Sequence, residues 1–221
     1  DWNKYEEELL DRLGSDNKMV RLLTNRAKSD PKRVVFDEAD HLDVLKAAQI
    51  VWEEGIGHPI LLGDREVILE LKAEIGFDAD VPIYDPKTPE EDKRRFHYAD
   101  IFWKERRRKG ISLLDAQKWM RERNYFAAMM VHEGEADALV TGYSRSYPSV
   151  VKPMLQLIGK APGISIVAST NMMMTNRGPI FFSDTAINPN PTADDIAKIA
   201  IMTANTVKLF GLEPVMAMVS F

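Results

Sequence analysis

Apolar residues along this chain alternate between two spacings. Short continuous runs (Val34-Val-Phe36, Ile60-Leu-Leu62, Ala138-Leu-Val140) are separated by longer stretches in which apolar positions recur every three or four residues. The first spacing is that of strands buried on both faces, the second that of amphipathic helices. The pattern predicts strands at Arg33–Phe36, His58–Leu62, Val81–Tyr84 and Ala136–Thr141. It predicts helices at Leu42–Glu53, Arg65–Ile75, from Thr88 to about Arg107, from Ser112 to Arg121, Asn124–Glu133 and Pro148–Ile158. Strand–helix alternation of this kind predicts an α/β fold, a doubly wound and mainly parallel sheet with helices on both faces.

The texture changes on either side of this block. Trp2, Tyr5, Leu9 and Leu13 mark a charged helix over residues 1–14, read as a connector, with a second helix from Ser15 or Asp16 to Ala27. After Pro162-Gly163, strands are expected at Ile164–Ser169 and Pro179–Ser183, joined through Thr175-Asn-Arg-Gly178 as a hairpin or flap. A helix is expected at Ala193–Phe210 and a last strand at Pro214–Phe221. The division expected is therefore a connector over 1–14, a first α/β domain over 15–163, and the opening of a second, incomplete one over 164–221. The chain begins without an initiator Met, as a fragment or a processed product would.

Composition narrows the chemistry. With 45% hydrophobic and 29% charged residues the 221-residue chain has the balance of a globular protein, and no apolar run is long enough for a membrane helix. Its net charge of −5 argues against a nucleic-acid surface, and the absence of cysteine fits a reducing cytoplasm. Four histidines without ligand spacing predict no metal site.

The chemistry of the chain centres on Gly142-Tyr-Ser144-Arg145-Ser146, between a strand and a helix. There, free backbone N–H groups meet the positive end of a helix dipole and are suited to an anion. The same setting resembles a nucleophile elbow, but the second glycine is missing and no histidine follows His132, so a serine hydrolase is set aside. Gly55-x-Gly57 lies between a helix and a strand, the reverse of a dinucleotide loop, and terminates the helix. Lys104-Glu-Arg106-Arg-Arg-Lys109 places cations at a helix C-terminus, either solvated there or with one arginine turned to phosphate. Asn188-Pro-Asn190-Pro-Thr192 is either a rigid cap or, with Ser183-Asp184, a polar ledge that orients a ligand. Met172-Met-Met174 reads as core or oligomer contact.

Arg33-Val-Val-Phe, Ala136-Asp-Ala-Leu-Val-Thr-Gly, Val151-Lys-Pro-Met-Leu-Gln, Pro162-Gly-Ile-Ser-Ile-Val and Ala186-Ile-Asn-Pro-Asn-Pro-Thr192 together resemble the phosphate acetyltransferases (phosphotransacetylases), from about residue 18 to the end. The segment Trp2–Gly14 is similar to the connector before such a domain in multidomain NADP-dependent malic enzymes. The resemblance implies a phosphotransacetylase-like two-domain architecture with coenzyme A or acetyl-CoA in an interdomain cleft, and a homodimer or higher oligomer. It also implies an upstream malic-enzyme domain, where NADP and a divalent metal would reside, this stretch holding no cofactor itself. The ligand-binding residues it suggests for phosphate or acetyl-CoA are Arg106, Ser144, Arg145, Ser146, Lys152, Asp184, Asn188 and Asn190. Lys152 stands where the family has an arginine, and Asp37-Glu38-Ala39 where it has Pro-Glu-Gly. The family's catalytic Ser-Arg pair and general-base Asp would fall beyond Phe221. The favoured expectation is a regulatory domain that senses acetyl-CoA for a protein decarboxylating malate to pyruvate. The alternatives are an active phosphate acetyl- or butyryltransferase and a non-catalytic dimerisation scaffold.

Overall fold

The computed structural model describes residues 15–175 and 178–219. The connector expected over 1–14 lies outside them. The chain divides into a larger compact unit, residues 27–159, and a smaller one made of the chain before residue 27 together with residues 160 onward. Helix α1 spans Ser15–Ser29.

The larger unit is built on four parallel strands, β1 (Lys32–Phe36), β2 (Gly57–Leu62), β3 (Ile83–Tyr84) and β4 (Ala138–Val140), in the spatial order β3-β2-β1-β4. Successive side chains of a strand point to opposite faces, so each strand feeds two cores. Val35, Ile60 and Leu62 pack with α4 (Asp92–Arg106), α5 (Leu113–Trp119), α6 (Arg123–His132) and α7 (Tyr147–Leu157), through Tyr98, Phe102, Met120, Phe126 and Leu157. Phe36 and Leu61 pack on the other face with Leu45 and Ala48 of α2 (Leu42–Glu53) and Ile68 of α3 (Arg65–Ile75).

Local chemistry fixes several boundaries. Asp64 accepts from the Glu66 and Val67 N–H groups at the start of α3, and Gly76, at φ +71°, ends it in the left-handed conformation. Ser112 and Asp115 form a reciprocal capping box on α5. The long helix expected from Thr88 begins instead at Asp92, after a 3-10 turn at Pro89–Glu91. The Thr88 hydroxyl turns back to the Asp85 carbonyl (3.0 Å) and leaves the helix uncapped at that point. The strand expected over Ala136–Thr141 pairs only at Ala138–Val140. Among the described residues it is an edge strand and not a buried one: β1 is its neighbour there, and Ala138 and Val140 are exposed.

In the smaller unit, β5 (Thr170–Thr175) and β6 (Gly178–Ser183) form an antiparallel hairpin with Thr170 opposite Ser183. Along β5, Met173 is exposed while Met172 and Met174 are half-buried. Helix α8 (Ala193–Leu209) lies against β6: Phe181 meets Phe210 at 5.3 Å, and the Thr203 hydroxyl donates to Ser183 Oγ at 2.6 Å. Residues 164–169, expected as a strand, have no regular structure. Carbonyls of that segment are taken from outside any ladder, Val167 O by the Asn188 amide and Ser169 O by the Asp184 N–H. Residues 214–219 of the strand expected over Pro214–Phe221 find no partner strand among the described residues.

Thr192 caps α8 through a reciprocal box with Asp195. Thr192→Ala removes one half of that box and should destabilise the protein by about 1 kcal/mol, read as a lower midpoint in urea unfolding. No helix among the described residues is long and apolar enough to cross a membrane.

Candidate ligand site at the carboxyl ends of β1 and β4

From β1 the chain winds outward through β2 to β3, and β4 then returns on the opposite side of β1. In open α/β sheets the crevice outside the carboxyl ends of such a reversed pair is where ligands bind. A cavity of about 370 Å³ lies at this point. It is bounded by Phe36, Asp37 and Glu38 after β1 and by Val140, Thr141, Gly142 and Tyr143 after β4. The first turns of α2 complete the wall with Asp43, Val44 and Ala47.

The loop after β4 turns through Gly142 at φ +100°, a conformation that disfavours any residue with a Cβ. This turn aims successive N–H groups at one point, and the anion at that point is Glu38 of the chain itself. Its carboxylate accepts from the N–H groups of Gly142 (3.2 Å), Tyr143 (2.7 Å) and Ser144 (3.2 Å) and from the Ser144 hydroxyl. Burial works to raise the Glu38 pKa, but the Ser144 hydroxyl and the three backbone donors outweigh it and hold the group below its ordinary value. The donors that the sequence offers to an external anion are thus spent internally.

Asp37 is fully buried. Thr141 donates to its Oδ2 at 2.6 Å, while Oδ1 is buried with no hydrogen-bond partner. Burial pushes its pKa up to about 6 against the Thr141 hydroxyl, and the Glu38 charge adds to the rise. Asp40 is held by a bidentate ion pair with Arg123 of α6 (2.6 and 2.5 Å), with only 15% of each side chain exposed. Burial would raise the Asp40 pKa, but Arg123 overrides it and leaves it lowered. The Tyr143 hydroxyl donates to Asp43 (2.7 Å), and its ring lies 5.2 Å from His41.

The residues anticipated as phosphate or acetyl-CoA ligands have separate partners. Ser144 serves Glu38, and Arg145 pairs with Glu122 at 3.5 Å. Ser146 precedes α7 without capping it and lies 3.2 Å from Ser149 Oγ. Lys152 sits over the Trp119 ring, 5.5 Å from its centroid. Arg106 closes α4 and donates to the carbonyls of Gln156 and Leu155 (3.3 Å) at the end of α7. In the smaller unit, Asp184 takes a positive φ of 56° and accepts from the Asn188 N–H (3.2 Å) and amide (3.0 Å). Asn190 is exposed. Thr141, Asp37 and Glu38 were not singled out as ligand residues from the sequence. The available signal was a run of carboxylates directly after an apolar β1, the position where a parallel strand delivers side chains to a site.

A family model described as phosphate acetyl/butaryl transferase matches residues 18–221. The phosphate acetyltransferase of Thermoanaerobacterium thermosaccharolyticum is 38% identical over 212 residues, which cover 92% of this chain and 63% of that protein. The phosphate acetyltransferase of Escherichia coli K12 is 34% identical over 201 residues, 90% of this chain and 28% of that one. A phosphotransacetylase structure from Streptococcus pyogenes superposes with a TM-score of 0.80 at 35% identity, covering 92% of this chain and 62% of the other. The chain thus spans less than two thirds of the length of each of these relatives. With the mainly parallel α/β sheet in common, and the family pattern running from α1 to the last residue, the chain belongs to the phosphate acetyl/butaryl transferase family.

Proposed function

We propose that this chain belongs to an acyltransferase that moves an acetyl or butyryl group between CoA and inorganic phosphate. In the direction of thioester synthesis, a base takes the thiol proton of CoA and the thiolate attacks the carbonyl of acetyl phosphate. The new C–S bond forms as the C–O bond to phosphate breaks, and phosphate leaves. The single observation that carries this reading is the family match over residues 18–221. The test uses the full-length protein with acetyl phosphate and CoA. Thioester formation that requires both substrates is expected, and so is its reversal by phosphate. A folded, CoA-binding protein with no turnover in either direction would remove the reading.

A second reading is favoured by one feature of the larger unit. Arg106 and Lys152, the cations expected to meet the phosphoryl group, are engaged with helix carbonyls and with Trp119. A phosphotransacetylase-like domain whose phosphate residues are spent on structure suits a sensor of acetyl-CoA, as in an NADP-dependent malic enzyme. Malate oxidation by the full-length protein that changes with acetyl-CoA, without acetyl phosphate turnover, would select this reading over the first.

A further inference from the structure

The hairpin of the smaller unit has one face on α8 and one face open. Directly opposed residues of an antiparallel pair point to the same side, and the side alternates along each strand. Phe181 and Ser183 belong to the α8 face, where they meet Phe210 and Thr203. The other face carries Asn171 opposite Phe182, Met173 opposite Ile180 and Thr175 opposite Gly178. Its large apolar side chains stand in solvent: Met173 is 54% exposed, Ile180 47% and Phe182 48%. A contiguous apolar cluster of this kind marks an interaction surface, and a two-stranded hairpin draws its stability from what covers its faces.

The chemistry of this face selects its partner. None of its six residues is charged, although 29% of the chain is. Its polar groups are already served: the Asn171 amide donates to Thr185 Oγ1 and the Thr175 hydroxyl to the Gly178 carbonyl, each at 2.7 Å. An acidic or basic partner finds no counter-charge here. A second copy of the chain suits the face, because an isologous contact brings the same patch together across a two-fold axis, where a charge near the axis would meet its like. The net charge of −5 makes two copies repel at long range, so close approach favours a neutral patch. We infer that two copies of this chain associate through this face, hairpin packed on hairpin about 10 Å apart. Met173, Ile180 and Phe182 of each copy bury those of the other, and the central pair, Met173 with Ile180, lies nearest the axis. This holds whether or not the chain transfers acyl groups.

The chain has no cysteine, so a single introduced thiol reports on a single place. In the full chain, Met173→Cys treated with a short bismaleimide is expected to give a covalent dimer. Leu114→Cys, at an exposed position of the larger unit, should stay uncoupled in the same reaction. Sedimentation of the wild type should show a dimer, and Ile180→Lys or Phe182→Glu, each setting like charges across the axis, should raise its dissociation constant at least tenfold. Both positions are exposed on the single copy, so circular dichroism should be unchanged; the cross-link decides the matter even where a charged variant does not fold. A monomeric wild type, a dimer that neither charge weakens, or coupling as fast at Leu114→Cys as at Met173→Cys would overturn the inference. A monomer whose Met173→Cys thiol resists maleimide would overturn it as well, and would mean that another segment of the protein covers the face.

Discussion

Glu38→Ala is expected to lower the free energy of unfolding by about 3 kcal/mol and to release the loop after β4. The carboxylate gathers three backbone N–H groups and a hydroxyl, and hydrogen bonds to a charged group each contribute about 1.5–3 kcal/mol. The full sum is not expected, since the loop borders solvent and water replaces part of what is lost. Because the Glu38 pKa is lower in the fold than in the open chain, its stabilisation is present above the unfolded value. It is lost as pH falls through the folded one. The difference between wild type and variant should therefore be full at pH 7 and shrink in acid. Urea unfolding measures the loss, and amide exchange at Gly142, Tyr143 and Ser144 locates it. A loss below about 1 kcal/mol with unchanged exchange at these amides would contradict the account.

What the sequence disclosed and what it hid follow from the range of each interaction. The limits of α2 and α3 were legible because their signals are local: periodic apolar positions, with Asp64 before α3 and Gly76 after it. The loop at Gly142 was legible as a set of converging donors for the same reason. The anion that fills it was not, because Glu38 lies 104 residues earlier than Gly142 and nothing near the loop announces it. Arg106 shows the same limit. A cluster of cations at a helix end is visible in the sequence, but the carbonyls of Leu155 and Gln156 that Arg106 meets are some fifty residues away and come within reach only when α4 and α7 pack. Strands failed in the complementary way. An apolar run at 164–169 has strand composition, but a strand requires a neighbour, and side-chain and loop donors take its carbonyls instead. Conversely, β4 is less buried than its composition suggests because among the described residues it pairs with β1 on one edge and with no strand on the other.

The replacement of Asp37 by Asn is expected to act in the opposite direction from most core changes and to stabilise the protein by about 2 kcal/mol at pH 7.5. Burial raises the Asp37 pKa from 3.8 to about 6, so holding it ionised in the fold costs roughly 3 kcal/mol. Asparagine keeps an acceptor for Thr141 and removes the charge, but its amide inherits the unpartnered position of Oδ1, which returns about 1 kcal/mol of the gain. The sign is fixed by linkage. A carboxyl whose folded pKa is raised stabilises the fold fully below the unfolded value of 3.8, and that contribution disappears as pH rises through about 6. The advantage of the variant should therefore be largest above pH 7 and close between pH 6 and 4. Paired urea unfolding curves at pH 7.5 and 4.5 measure this, and a variant less stable than wild type at pH 7.5, or a gap independent of pH, would refute it. A chain that keeps such a costly group at the reversal point of its sheet fits a role for Asp37 in ligand recognition, since residues that serve a site are often those that could be exchanged for stability.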